Sequence, residues 1–587
     1  MENQVRGGAK PHPGQERRVV MPCVNRIRAA ALGEEPADLV LKNARVLDVF
    51  TDAFYPADVA VCGEEIVGVG PGYRGRREID CRGRYLIPGL IDAHIHIEST
   101  LATPCELGRQ VVRKGTTTCV ADPHELVNVK GAAALRWLLA AAADTPVRYE
   151  VMLPSAVPAT PFDTNGAGRF TAADMAPFAA DPGVRGLGEV MCFHEVVDGA
   201  PEAWDKLALF RGRPIDGHAP GLTGRALNLY RASGVMTDHE CTTADEALEK
   251  LRAGFSILIR EGSGAHNLDA LVAGLLAHPA AFAHCAFCTD DKHMDDIAAR
   301  GHINYCVNRA VALGVDPVTA IKMASTVPAA LYGLQDRGAI FAGCKADLLL
   351  VDDPRRIEPV LVITRGAEVT DGWLAAFSEP PIPAELLDTV HFPPLTPARL
   401  AVPARAENDV IALVPGQLLT EHRRAAVPAK DGRFIPDETY AKLCVVERHG
   451  RSGGAAACPV TGFGLRGGAI ATSVSHDSHN IVAVGDNDAD LIAAIERLRV
   501  LHGGYAVVSG GRVLAEIALP VAGLITPEPA AAAEEGSAAV RAAARKLGVP
   551  EDIDPIANLS FLALPVIPHI RLLDTGLFDV DNFRLMD

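Results

Sequence analysis

Six side chains able to bind divalent cations fall at one recurring place in the chain. His94 and His96 in LIPGLIDAHIH, Glu189 in GVRGLGEVM, His218 in PIDGHAP, His239 in GVMTDHE and Asp290 in AFAHCAFCTDD each close an apolar, β-rich run. Four imidazoles and two carboxylates are enough for two divalent ions, with each ion keeping a position for water, which is the equipment of metal-assisted hydrolysis. Two histidines separated by one residue on a strand point to the same face, so His94 and His96 can grip one ion together. His218 and His239, taken singly, read as hydrogen-bonded structural histidines, and it is their place at successive run ends that makes them candidate ligands. Glu189 stands among glycines that permit close backbone approach, in a run where an unpaired buried carboxylate is costly; bridging two cations would neutralise it. Asp290 and Asp291 end the last run, where one of them can bind a metal and exchange protons with its water.

Such convergence requires a particular arrangement of elements. Eight apolar runs, the five above with GTTTCVADPHE, RYEVMLPSAVP and FSILIREGS, alternate with Ala- and Leu-rich spacers such as GAAALRWLLAAAAD, long enough for right-handed crossover helices. This pattern predicts a (β/α)8 barrel with its chemistry at the C-terminal strand ends. Short Val-rich runs with turns before the barrel, and a similar fragment GAIFAGCKADLLLVDD after it, predict a small antiparallel sheet split by the barrel. A Pro-rich linker then leads to strand-like and helix-like segments of a further domain. The expected division is an arm at 1–37, a composite β-sandwich at 38–85 and 338–395, the metal-binding barrel at 86–337 and a C-terminal α+β domain at 396–587.

The 587 residues carry a formal net charge of -17, which argues against a nucleic-acid partner, since such affinity rests on clustered Lys and Arg. No apolar stretch reaches the roughly 18 to 20 residues of a membrane span. Arg17 and Arg18 precede a short apolar piece, Val19 to Val24, that Pro22 and Asn25 interrupt before a signal-peptide core can form, so the expected location is cytoplasmic. The 13 cysteines are scattered as reduced core thiols would be, and the lone CxxC pair, Cys285 and Cys288, lies in an apolar run that favours packing over zinc.

The ordered set PGLIDAHIHIEST, VADPHE, GLGEVM, DGHAPGLTG, TDHE, REGS and CTDD, with VSHDSHNIVAVGDND far downstream, resembles the bacterial adenine deaminases of the amidohydrolase superfamily over most of residues 38 to 587. The PGxIDxHxH element is common to the superfamily, while HIES and GLGEVM are narrower. The resemblance implies an α/β fold in which a distorted (β/α)8 TIM barrel carries a small composite β-sandwich and an additional C-terminal α+β domain. It implies a binuclear site: His94 and His96 on one ion, Glu189 bridging, His218 and His239 on the other, Asp290 completing it. The ions implied are Mn2+ or Fe2+, with Zn2+ also possible. Glu in place of a carbamylated Lys at the fourth strand favours deaminase over hydantoinase.

The activity implied is hydrolytic deamination of adenine to hypoxanthine and ammonia by a metal-activated hydroxide, with Asp290 taking the water proton and a small purine base as partner. The alternatives are an amidohydrolase acting on another heterocycle or cyclic amide, and a non-catalytic purine-binding protein. Glu240, beside His239, reads either as the acid or as a residue orienting His239. Glu98, Ser99, Arg260, Glu261 and Ser263 are candidate purine contacts from neighbouring strand ends, with a buried ion pair the other reading for Arg260. His124 is expected to touch substrate or brace the site. His476 and His479 have a spacing that suits a metal on a helix, but without a companion carboxylate a packed or interdomain role is favoured. His194 and Glu195, in MCFHEVVDG, depart from the family pattern and put substrate preference in question. Self-association is expected by analogy with other barrel enzymes.

Overall fold

The computed structural model describes residues 25–415 and 417–586, so the Arg17–Val24 stretch lies outside the described residues. The chain forms two compact units: residues up to Gly89 with Leu334–Val369, and Leu90–Gly333 with the chain from Thr370 onward.

In the first unit, residues 25–31 of the expected arm are helical, and Ala30 packs with Val40, Ala60 and Val67. The split sheet forms as one eight-stranded sheet, in which Leu348–Asp353 from beyond the barrel pairs antiparallel with Tyr85–Pro88. It is not wholly antiparallel, as the sequence reading had it. After the Glu65–Gly70 strand the chain crosses to the far side of Ala37–Asp48, so Gly75–Asp80 and Tyr85–Pro88 both run parallel to that strand. The core on one face is built from Leu41, Val46, Val59, Leu86, Leu348 and Ile363. This unit ends at Val369, short of the expected boundary at 395. The following segment belongs to the second unit because it packs on the helix Pro104–Arg113. Arg113 pairs with Asp371 at 2.6 Å, Arg109 Nη2 donates to the Phe377 carbonyl at 2.6 Å, and Glu379 accepts from Cys105 N at 2.6 Å.

In the second unit all eight expected runs become parallel strands. They form an arc of five, from Leu90–Ile95 through Thr116–Ala121, Arg148–Leu153 and Val184–Val190 to Ile215–Gly217, and an arc of three, Thr237–Asp238, Ser256–Arg260 and Cys285–Cys288. Asp290 closes the ring, donating its N–H to the His94 carbonyl at 2.9 Å and accepting from His96 N at 3.2 Å. On the far side Met236 N reaches the Ile215 carbonyl at 2.8 Å. Cys285 and Cys288 are free and buried, as are the other cysteines among the described residues. The helix His124–Ala143 is long and apolar enough to cross a membrane, but 61% of that window is buried within the fold.

The C-terminal domain is a second eight-stranded sheet, with Leu491, Ala494, Ile495 and Leu498 of helix Asp488–Leu501 packed on it. It is tied to the barrel by Arg541, which pairs with Asp295 and meets His293 Nδ1 at 2.9 Å, and by Asn480 Nδ2, which donates to the Thr164 carbonyl at 2.9 Å.

Candidate active site

Each of the six side chains stands at or just past the C-terminal end of its strand, and all are buried. Around Glu189 Oε1, His96 Nε2 lies at 3.1 Å and His94 Nε2 at 3.7 Å. Asp290 Oδ1 is 3.1 Å from His96 Nε2 and 3.5 Å from His94 Nε2, and the two imidazole nitrogens face each other at 3.1 Å. Around Glu189 Oε2 stand His218 Nδ1 at 3.0 Å and His239 Nε2 at 3.2 Å. Four donors held about 2.1 Å from one ion at tetrahedral angles are separated by about 3.4 Å, and these separations straddle that value.

The tautomer of His96 suits the same purpose. His96 Nδ1 sits 2.9 Å from the Asp122 carbonyl, so the proton belongs on Nδ1 and the Nε2 lone pair faces the centre. Burial opposes charge on His96 and His239, yet the facing carboxylates raise both well above the ordinary imidazole value. The same imidazoles, with Arg260 beside Asp290, outweigh burial and hold Glu189 and Asp290 well below the usual carboxylate range. Two buried carboxylates surrounded by converging nitrogen lone pairs therefore demand positive charge between them. This donor set fits divalent cations.

Close backbone approach builds the cluster. A Cβ on Gly188 would lie 2.1 Å from Asp122 Oδ2, the atom that accepts Glu189 N at 2.8 Å, and one on Gly217 would lie 2.4 Å from the Thr237 carbonyl. Behind His239, the fully buried Lys250 ammonium donates to Asp238 Oδ2 at 2.9 Å, the Ala219 carbonyl at 2.7 Å and Glu246 Oε1 at 2.8 Å. Asp238 in turn accepts from Ala219 N at 2.8 Å and Glu240 N at 3.1 Å, fixing the loops that carry His218 and His239.

Glu240 points its Oε1 toward His239 Nε2 at 3.3 Å and His218 Nδ1 at 3.6 Å, and Arg260 grips it through both terminal nitrogens while also donating to Asp290 Oδ2 at 2.8 Å. Burial pushes the Glu240 carboxyl up, but Arg260 and the two histidines outweigh it and hold it well below the usual range. An ionised carboxylate in that state has no proton to donate, which favours the orienting reading of Glu240 over the acid.

These groups open onto a cavity of about 590 Å³. Barrel residues His124, Arg260 and Asp291 line it, and the C-terminal domain contributes His476, Asp477 and Phe561 to its wall. Family models match this chain as "Amidohydrolase family" over residues 85–377 and as "Adenine deaminase C-terminal domain" over residues 417–584. An adenine deaminase of Desulfitobacterium hafniense is 45% identical over 558 residues, covering 95% of this chain and 97% of that protein. One of Cereibacter sphaeroides is 45% identical over 94% and 98% of the two chains, and one of Nitratidesulfovibrio vulgaris 44% identical over 96% and 98%. The chain belongs to the adenine deaminase family.

Within this family member, the expected purine contacts divide. His124 and Arg260 reach the cavity, whereas Glu98, Ser99, Glu261 and Ser263 do not line it. Glu98 turns under the following helix to accept Leu126 N at 3.1 Å, and Ser99 Oγ donates to Glu125 at 3.3 Å and to Asp291. Glu261 faces away from Arg260, as alternation on a strand dictates, and pairs with Arg300 and His266. Ser263 Oγ donates to Asp296 at 3.2 Å. His194 and Glu195 lie on the short helix Phe193–Val197, outside the cavity wall, although Met191 before them lines it. His476 and His479 occupy a turn rather than a helix, and His476 Nδ1 meets a carboxylate, Glu125 Oε1, at 2.7 Å. Sequence reasoning missed Glu125 and Asp477; their only signal was adjacency to His124 in DPHE and to His476 in HDSH.

Proposed function

We propose that this chain hydrolyses adenine to hypoxanthine and ammonia. The reading is carried by one observation: Glu189 presents one oxygen to the His94–His96 pair and the other to the His218–His239 pair, at the floor of a cavity roofed by the C-terminal domain. Full-length similarity to the curated adenine deaminases supports adenine as substrate.

In this reading His94, His96 and Asp290 would hold one divalent ion, His218 and His239 would hold the other, and Glu189 would be shared by both, with Mn2+ or Fe2+ as the physiological pair and Zn2+ also accepted. Divalent ions at these residues would supply Lewis-acid activation of water near neutral pH. Asp290, oriented by Arg260 through Oδ2, takes the proton that leaves the attacking water. Glu240 and Arg260 form a rigid charged pair that fixes His218 and His239. His124 braces Glu189 Oε1, 3.5 Å from its Nδ1, and borders the base. Glu98, Ser99, Glu261 and Ser263 support the wall from behind. We also infer a cytoplasmic, self-associating enzyme that takes a free purine base; the net charge of -17 supports the exclusion of polyanions.

The test is a metal-replete assay of ammonia release and ring opening with adenine, adenosine and hydantoin. Ammonia from adenine alone, abolished by a chelator and restored by added divalent metal, is the expected result. Ring opening of hydantoin without ammonia from adenine would replace this reading with that of a cyclic-amide hydrolase.

A further inference from the structure

Purine deamination needs a proton donor as well as activated water, because electron density moves onto a ring nitrogen when C6 is attacked. On the barrel floor Asp290 is engaged with Arg260 and the histidines, and Arg260 grips Glu240 through both terminal nitrogens. The opposite wall of the same cavity carries His476, on the turn that the C-terminal domain inserts over the barrel mouth. Its backbone N donates to the Ser560 carbonyl at 3.0 Å, and its ring stacks on Phe561 at 4.2 Å and 12°. Its Nδ1 is tied to Glu125 Oε1 at 2.7 Å, and among the described residues no protein group meets its Nε2. A histidine held by a carboxylate through one nitrogen and open to a cavity through the other is the arrangement that orients an imidazole for proton transfer.

We propose that His476, oriented by Glu125, is the catalytic acid that protonates the purine ring, so that the active site is completed only by the C-terminal domain. The proposal rests on the deaminase reading above. As the water oxygen bonds C6, the N1=C6 electron pair moves onto N1, which takes the Nε2 proton of His476, while Asp290 holds the proton lost by water. The amino nitrogen then takes the Asp290 proton, the C6–N bond breaks to release ammonia, and the hydroxyl proton returns to His476 as the C6 carbonyl forms.

The charged and titratable groups facing His476 are Glu125 from the barrel, Asp291 from the eighth strand end, and Asp477 and His479 from its own turn. Burial alone would strip its proton, but Glu125, Asp291 and Asp477 more than offset that and push it up to about 9. The donor is therefore charged at neutral pH and lost on the alkaline side. Phe561, against which the His476 ring is stacked, lines the same cavity.

The experiment compares full-length, metal-loaded wild type, His476→Gln and Glu125→Gln for ammonia release from adenine across neutral and alkaline pH, with metal content and thermal unfolding measured on each. His476→Gln should lower kcat by about 10²–10⁴ with KM changed less and both metals retained. Glu125→Gln should move the alkaline limb of kcat to lower pH, because removing the carboxylate leaves burial to lower the His476 pKa. The inference is overturned if His476→Gln stays within about threefold of wild type, or if Glu125→Gln leaves the limb in place. If His476→Gln does not fold or loses metal, the Glu125→Gln limb alone decides. A wild type that yields no ammonia from adenine overturns the deaminase reading and this inference together, whereas an active wild type with an undiminished His476→Gln overturns this inference alone.

Discussion

Lys250→Met probes how the second half of the site is held. Lys250 and Asp238 are both 0% exposed, and Lys250 is the only cation bonded to that carboxylate among the described residues. Burial pushes Asp238 up, but Lys250 with His239 reverses this and leaves it below its ordinary value. Without Lys250 the carboxylate either stays charged and uncompensated, at about 3–5 kcal/mol, or takes a proton. Protonating a group of ordinary pKa about 3.9 at pH 7 costs about 1.4 kcal/mol for each of roughly three units, or about 4 kcal/mol. The two routes agree. A depressed carboxylate pKa gives stability that is present above the unfolded value and lost as pH falls through the folded one, so the deficit of the variant should be full at pH 7 and shrink to about 1.5 kcal/mol at pH 5. Hydrogen exchange resolved to peptides spanning Ala244–Arg260, corrected for intrinsic rates, should show protection lowered by about 10³ at neutral pH. A deficit below about 1 kcal/mol, or one that does not change with pH, would refute the reasoning.

Glu189→Gln keeps the shape but replaces one carboxylate oxygen by an amide nitrogen that cannot accept, so one of the two histidine pairs loses its oxygen donor; elemental analysis should find about half the wild-type metal or less, and unchanged content would refute the bridge. Gly188→Ala drives a methyl into Asp122 Oδ2 and should cost about 1–3 kcal/mol of stability along with metal, read by thermal unfolding and metal analysis. Arg260→Met releases Glu240 and Asp290 together and should lower activity or metal affinity by about 10–100-fold; a variant unchanged in both would show that the guanidinium only packs.

The six candidate ligands were legible because three separate regularities coincide on them: apolar runs of strand length, helical spacers between those runs, and a polar residue closing each. A parallel barrel turns such a pattern into a single rim, since every strand points its C-terminal end the same way. The family likeness was carried by the same residues. The boundary at Val369 was not legible, because the chain beyond it is Pro-rich and its allegiance depends on hydrogen bonds to a helix more than 250 residues earlier.

What the sequence determined by itself is therefore the set of strand-end side chains and the chemistry of their donor atoms, which follow from local periodicity and residue type. Tertiary structure alone decided which neighbours face inward. Folding buried Lys250 against Asp238, and the C-terminal domain brought His476 to Glu125 across 351 positions of chain (476 − 125). Contacts of that kind depend on where whole elements come to rest, and no local pattern of residues encodes that.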